Sequence, residues 1–443
     1  MLATTAAITD DAPSSPFLRE NGGQSTLIRM RRGAAAAFAS DFAHHAPGVA
    51  RLNHGSFGAA PLPVLQACAA WRDTWLAQPD ALYFAGRLEE KIRNAEHAAE
   101  TALAAPRGTV ALVENATVAA AITLRRWCTE TSSSSKALVL SCAYGGLLPS
   151  LRTAFPGDRL VEVEVPFPGT THAAILERLD RALLANRGGD GIAFALLDHV
   201  ASQPALELPI RDVIALCRER GVREVAVDAA HAVGNVAGAT DVTALDADVW
   251  WTNFHKWGHA APTCTALYAR VPLSHVVPSW DAGDSNVVRE SRWPGTRDFG
   301  AAVSLTDAVA YAQTWRSVDG LDTATYNRAG LRDAADTLKR AWGVDAAYDE
   351  AECFTSMGMI RLPDGLDVAR DVPGVPSGPA SVRSRLRDRY GVEAAVGGFR
   401  KSTSESRLEG YVRLSHACYT TDDDIARLRD AVLDLADEDR RRL

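Results

Sequence analysis

The sequence predicts an α/β protein: a large domain on a mostly parallel sheet, followed by a smaller α+β domain. Three observations predict it. Short, wholly apolar runs alternate with helical stretches through the middle third of the chain, the signature of strands buried on both faces. Two of the apolar runs lead into a charged residue, Asp228 in one case and Lys256 in the other. After Ser304 the alternation gives way to long helical stretches and isolated strands.

Taken in order, residues 1–50 read as an arm, Ser/Pro/Asp/Gly-rich at first, with Arg29 to Arg32 and the alanines 34 to 37 leading into a helix. The large domain then spans 51–304 and the small domain 305–443, with the arm packing against the small domain. Asn53-His54-Gly55-Ser56-Phe57-Gly58 reads as a glycine-punctuated turn, and Leu62, Leu65, Ala69 and Trp71 give Pro61 to Trp75 helical spacing. Strands are predicted at Val110 to Val113, Ala137 to Ser141, Ile192 to Leu197 and Val222 to Val227. Helices at Ala116 to Cys128, Thr171 to Asn186 and Ile210 to Glu219 separate them. Right-handed crossovers then bring the strand C-termini to one edge, where ligands collect. Helices follow at Leu305 to Ser317 and Ala329 to Trp342, and strands at Met357 to Leu362 and Tyr411 to Leu414. The closing helix, Asp422 to Leu435, is opened by a Thr-Thr-Asp-Asp cap.

Composition excludes several classes. At 443 residues two domains are expected, and 47% apolar with 23% charged residues is the balance of a globular enzyme. A net charge of −8 with no basic block argues against a nucleic-acid partner. Seven scattered cysteines with no Cys-x-x-Cys pair fit neither a disulfide framework nor a structural zinc site, and suit a cytoplasmic protein. No apolar run is long enough to span a membrane, and the N-terminus lacks a secretory pattern.

The chemistry rests on Lys256. A lysine directly after a histidine, at the end of the apolar run Val249 to Phe254, is poorly placed for a solvated residue. Upstream, Val225-Ala226-Val227 ends in Asp228. An aspartate and a lysine at the ends of successive strands are what pyridoxal phosphate requires: the amine forms a Schiff base with the aldehyde, and the carboxylate pairs with the protonated ring nitrogen. Asn115-Ala116-Thr117 follows a strand and opens a helix, so its N–H groups and the Thr117 hydroxyl suit the phosphate. His255 and His259 make a His-x-x-x-His pair, but Lys256 occupies the slot of a zinc protease's glutamate, so no metal is expected.

Together, Leu52 to Gly58, Asp228-Ala229-Ala230-His231, Asn253 to Trp257 and Gly295-Thr296-Arg297-Asp298 resemble the class V aminotransferase family. The closer resemblance is to its isopenicillin N epimerase-like branch, which includes cysteine C–S lyases. It runs from about residue 50 to the C-terminus. The resemblance implies the type I fold of pyridoxal-phosphate transferases, with a seven-stranded sheet, and a homodimer with shared active sites. It implies that Lys256 carries the cofactor and works as acid and base at Cα, and that Asp228 holds the ring nitrogen. His231 and Ser202 are expected near the ring's O3′, Tyr144 on the ring face, and Asn253 and His255 with Asn115, Ala116 and Thr117 around the phosphate. Thr296 is expected to reach the phosphate of a second subunit. Arg413 is expected to clamp the substrate α-carboxylate, with Asn53 and His54 beside the substrate.

These residues are common to several reactions. The favoured one is a C–S β-lyase acting on an S-substituted cysteine conjugate in specialised metabolism, partly on the expectation of roomy glycine-rich loops at Ala282-Gly283 and Gly397-Gly398. The runner-up is an amino-acid epimerase with a second acid/base, Tyr144 or a cysteine, opposite Lys256. A decarboxylating or oxidative-deaminating variant, an aminotransferase and a non-catalytic cofactor-binding protein complete the alternatives.

Overall fold

A computed structural model describes residues 38–132, 134–188, 191–236, 241–275, 286–319, 322–347, 353–372, 378–400 and 408–442. The predicted helix entered at Ala34 to Ala37 and the Ala282-Gly283 loop lie outside these residues.

The large sheet has seven strands: β1 (Val110–Val113), β2 (Lys136–Leu140), β3 (Leu160–Val163), β4 (Ile192–Asp198), β5 (Glu224–Asp228), β6 (Val249–Asn253) and β7 (Thr265–Ala269). Their spatial order is β1-β7-β6-β5-β4-β2-β3, all parallel except β7. Both faces are covered, which is why the strands read as unbroken apolar runs. Val110 and Leu112 of β1 join one core, with Leu138, Leu140, Val225, Val227 and Trp250. Ala111 and Val113 join the core on the opposite face, with Ala137, Val139, Ala226 and Trp251.

Because β7 alone is reversed, the ends of β1, β2, β4, β5 and β6 fall on one edge. That edge carries Asn115, Tyr144, Asp198, Asp228 and Asn253. After β4 a short hairpin, Val200–Ser202 with Ala205–Glu207, folds Ser202 and Gln203 back over the edge.

The small domain carries an antiparallel sheet of β8 (Met357–Arg361), β9 (Ala395–Phe399) and β10 (Glu409–Ser415), with β10 central. Ala50–Arg51 pairs in parallel with Val392–Glu393, and Ala50 and Leu52 join the small-domain core. The helix Leu305–Asp319 places Leu305, Ala308, Tyr311 and Trp315 in the large-domain core, although it begins the segment read as the small domain.

Two local readings are corrected. Asn53 to Gly58 is not an open turn: His54–Phe57 form a four-residue helix. Gly397 and Gly398 lie in β9 rather than in a loop, and a Cβ on Gly398 would come within 3.0 Å of Leu408, so this glycine allows packing, not room.

Candidate active site

The sheet edge and the small domain enclose a cavity of about 530 Å³. Its walls include Asn115, Ala116, Thr117, Tyr144, Ser202, Asp228, His231, Asn253, Lys256 and Arg413, all anticipated from the sequence.

Lys256 lies on the four-residue helix Phe254–Trp257, which follows β6 directly. Its backbone is held from behind. His54 Nε2 lies 2.8 Å from the Lys256 carbonyl oxygen, and His54 Nδ1 lies 2.9 Å from the Tyr419 hydroxyl. A carbonyl only accepts, so Nε2 carries the proton and Nδ1 accepts from Tyr419. Burial pushes the His54 ring down to about 3, consistent with a neutral imidazole. His54, expected beside the substrate, therefore sits behind the lysine. Gly58 makes room for the same turn: with φ +69°, a Cβ there would overlap the His255 carbonyl and approach the Lys256 Cα to 2.8 Å.

The Lys256 amine lies 3.0 Å from His231 Nε2. Burial lowers the lysine to about 8, against the raising effect of the Asp228 carboxylate. Burial, then the Lys256 charge, also lower His231 well below its ordinary range. A neutral imidazole can accept at Nε2 only with its proton on Nδ1, and Nδ1 is buried without a hydrogen-bond partner.

A carboxylate pair faces this amine. Asp198 and Asp228 are directly paired in the β4–β5 register. By strand alternation they share a face with Leu196 and Ala226, so the two side chains are neighbours. Burial raises both, and the adjoining Asp228 charge drives Asp198 higher still. Asp228 accepts the Ala230 N–H at 2.9 Å, whereas Asp198 Oδ2 is buried with no partner. Asp198 therefore carries the proton of the pair and Asp228 the charge. Asp198 was missed in the sequence although its signal was that of Asp228: an acid ending an apolar strand.

At the other end of the cavity, Asn115 caps the helix Ala116–Glu130 by accepting the Val118 N–H at 3.0 Å. Asn253 Oδ1 accepts the Ala116 N–H at 3.0 Å and the Thr265 hydroxyl at 2.6 Å, leaving its NH₂ as a donor. The Thr117 N–H lies in the first turn and has no intrahelical acceptor, which suits an anion. His255, expected here, does not line the cavity; its Nδ1 lies 3.0 Å from the Cys264 carbonyl. Thr296 is exposed and is not part of this wall, while its neighbour Arg297 pairs with Glu114 beside the helix N-terminus.

Arg413 reaches the cavity from β10 and meets segments distant in the chain. It donates to the Ser202 carbonyl (2.9 Å), Ser202 Oγ (3.0 Å), Asn53 Oδ1 (2.7 Å) and Ser56 Oγ (2.5 Å). These neutral acceptors orient the guanidinium. Asn53 thus acts on the arginine. Tyr144 is 47% exposed at the rim.

A buried amine lowered toward neutrality, an ionised carboxylate beside it, and unused donors at a helix N-terminus fit the aldehyde, ring nitrogen and phosphate of pyridoxal phosphate. All seven cysteines are placed, and none lines the cavity. Burial raises the two nearest by sequence reasoning, Cys142 and Cys418.

Fold and site together define a pyridoxal-phosphate enzyme. No family model matches the chain. It is, however, 33% identical over 422 residues to a putative L-cysteine desulfhydrase of Oryza sativa subsp. japonica, covering 90% of this chain and 85% of that protein. An L-cysteine desulfhydrase of Arabidopsis thaliana is 32% identical over 421 residues, covering 89% and 90%. The crystal structure of the Escherichia coli cysteine desulfurase CsdA superposes with a TM-score of 0.66 at 16% identity, over 91% of this chain and 98% of that one, a likeness of fold. The chain belongs to the class V aminotransferase family, alongside the L-cysteine desulfhydrases.

Proposed function

We propose that this protein is a C–S β-lyase that converts an S-substituted cysteine and water into a thiol, pyruvate and ammonia. The observation that carries this reading is a complete site for activating Cα in a cavity with no cysteine. A desulfurase that passes sulfur to its own thiol needs a cysteine there. Here sulfur has no protein acceptor and leaves in solution.

When bound, pyridoxal phosphate supplies an electron-poor ring that takes up the electron pair left when a Cα proton departs. The protein residues do the rest. Arg413, held in place by Asn53, Ser56 and Ser202, binds the α-carboxylate and fixes which Cα bond stands toward Lys256. Lys256, neutral at little cost because burial lowers it to about 8, takes the Cα proton. His231 accepts a hydrogen bond from that amine and keeps it oriented. Asp228 stays ionised against the ring nitrogen because Asp198 holds the shared proton.

The same reading includes a homodimer, in which the exposed Thr296 meets the cofactor phosphate of a second subunit, and a role in specialised metabolism. Among the described residues no helix is long and apolar enough to cross a membrane. A cytoplasmic location is supported by the seven free cysteines.

An epimerase remains the second reading because Tyr144 lines the cavity; the thiol candidates for its second acid/base do not. Incubating the holoprotein in D₂O with L-cysteine, an S-alkyl cysteine, its sulfoxide and isopenicillin N separates the two. Pyruvate and ammonia support the lyase. A stereoinverted amino acid carrying deuterium at Cα, without pyruvate, replaces it with the epimerase.

A further inference from the structure

The helix Val382–Tyr390 carries four arginines, and their partners differ. Arg385 makes a bidentate pair with Asp439, both oxygens at 2.7 Å. Arg387 pairs with its neighbour Asp388 at 2.7 Å, and Arg389 with Glu438 at 2.6 Å. Arg383 has no carboxylate partner among the described residues, although its backbone N–H donates to Asp371 at 3.0 Å. A half-buried guanidinium left unpaired beside paired neighbours on one helix is the kind of group that waits for an anion.

Its place is specific. Arg383 lines the active-site cavity and also a second cavity of about 600 Å³, and Arg387 and Phe57 stand in the same shared wall. The second chamber adds Arg51, His44 and His45; its one acid among the described residues, Glu393, already lies 3.7 Å from Arg51. Among the described residues lining the active-site cavity the only carboxylates are Asp198 and Asp228, which are assigned to Lys256 and the cofactor ring. Arg413 accounts for the substrate's α-carboxylate. A second cation therefore lines the cavity that must also hold the substrate's sulfur substituent.

Resting on the lyase reading, we infer that Arg383 selects cysteine conjugates whose S-substituent ends in a carboxylate. A planar guanidinium binds a carboxylate through two parallel N–H···O bonds, and such charge-assisted bonds discriminate strongly against a neutral group of the same shape. The chamber beyond gives the substituent space.

S-carboxymethyl-L-cysteine and its neutral amide, S-carbamoylmethyl-L-cysteine, differ only in that charge. With holoprotein, kcat/KM for pyruvate release is expected to favour the acid by about ten- to a hundredfold, mainly through KM. Arg383→Gln should bring the ratio close to one, and Arg383→Lys should restore part of it. A second readout needs no turnover: the dissociation constants of both compounds for cofactor-loaded Lys256→Ala protein, with and without Arg383→Gln, measured by calorimetry. Equal turnover and equal binding of the two compounds by wild-type Arg383 protein overturn the inference but leave the lyase standing. A preference that survives Arg383→Gln also overturns it. If neither compound yields pyruvate, the lyase reading falls, and the binding ratio alone decides whether Arg383 selects the carboxylate.

Discussion

The Lys256 amine lies 3.0 Å from the Nε2 atom of His231, and both groups are buried beside the Asp198–Asp228 pair. The two bases share one hydrogen bond, so only one can be protonated without a large penalty. The lysine takes that proton: Asp228 supports its charge, while the histidine is held neutral by burial and by the lysine itself.

This predicts how cofactor uptake depends on pH. The aldehyde reacts with the neutral amine, and Lys256 is lowered to about 8. Below that value the neutral fraction falls with falling pH. The rate at which apoprotein takes up pyridoxal phosphate should therefore drop about tenfold per pH unit below 8 and level off above it. Stopped-flow absorbance checks this, and a midpoint near the ordinary lysine value would refute it.

The carboxylates should respond unequally to amide substitution. Asp228→Asn removes the buried charge proposed to pair with the ring nitrogen, and cofactor affinity should fall by about a hundredfold or more, given the cost of about 3–5 kcal/mol for breaking a buried charge pair. Asp198→Asn replaces a group already neutral and should shift affinity by no more than about threefold, within the few tenths of a kcal/mol of a near-isosteric change. Equilibrium titration with pyridoxal phosphate compares them; equal losses would mean that the shared proton is assigned to the wrong acid.

Arg413→Lys keeps the charge but loses the fork held by Asn53, Ser56 and Ser202. The expected loss in kcat/KM is about ten- to a hundredfold for the lost charge-assisted bonds, with cofactor affinity unchanged. Steady-state kinetics alongside cofactor titration would expose a purely structural role, in which both would decline.

Gly58 and Gly108 separate backbone strain from crowding. Both have positive φ, +69° and +76°, but nothing lies within 4 Å of a Cβ at Gly108, whereas one at Gly58 meets His255 and Lys256. Gly108→Ala should cost about 1–2 kcal/mol from the left-handed conformation alone. Gly58→Ala should cost more and displace the lysine turn, seen as a lower Tm together with weakened cofactor binding. Equal Tm shifts with intact binding would contradict the packing assigned to Gly58.

Four strands of the large sheet were legible because burial on both faces forces unbroken apolar runs, so Val110 to Val113 stands out without any structure, whereas Leu160–Val163 and Thr265–Ala269 were not read as strands. Lys256 and Asp228 were legible because a charge at the end of such a run needs a partner. Asp198 carried the same mark at the end of β4 and was passed over, since no neighbouring motif drew attention to it. His54 and His255 were expected at the substrate and the phosphate because the family resemblance implies those places. Their rings turn instead to the Lys256 and Cys264 carbonyls. A short helix lets adjacent residues point in very different directions.

By itself the sequence determined the α/β architecture, and it marked Lys256, Asp228 and the helix N-terminus after Asn115 as the proposed cofactor site. Each follows from a local pattern: apolar periodicity, strand-end charge, or a cap before a helix. Only the tertiary structure decided how Arg413 is aimed, because its acceptors come from residues 53, 56 and 202 and meet only when the small domain closes on the sheet edge. It also decided which arginine of the Val382–Tyr390 helix has no carboxylate partner among the described residues, since the acids that take Arg385 and Arg389 lie on the C-terminal helix. Partners so far apart in the chain leave no local pattern, and their meeting is set by packing.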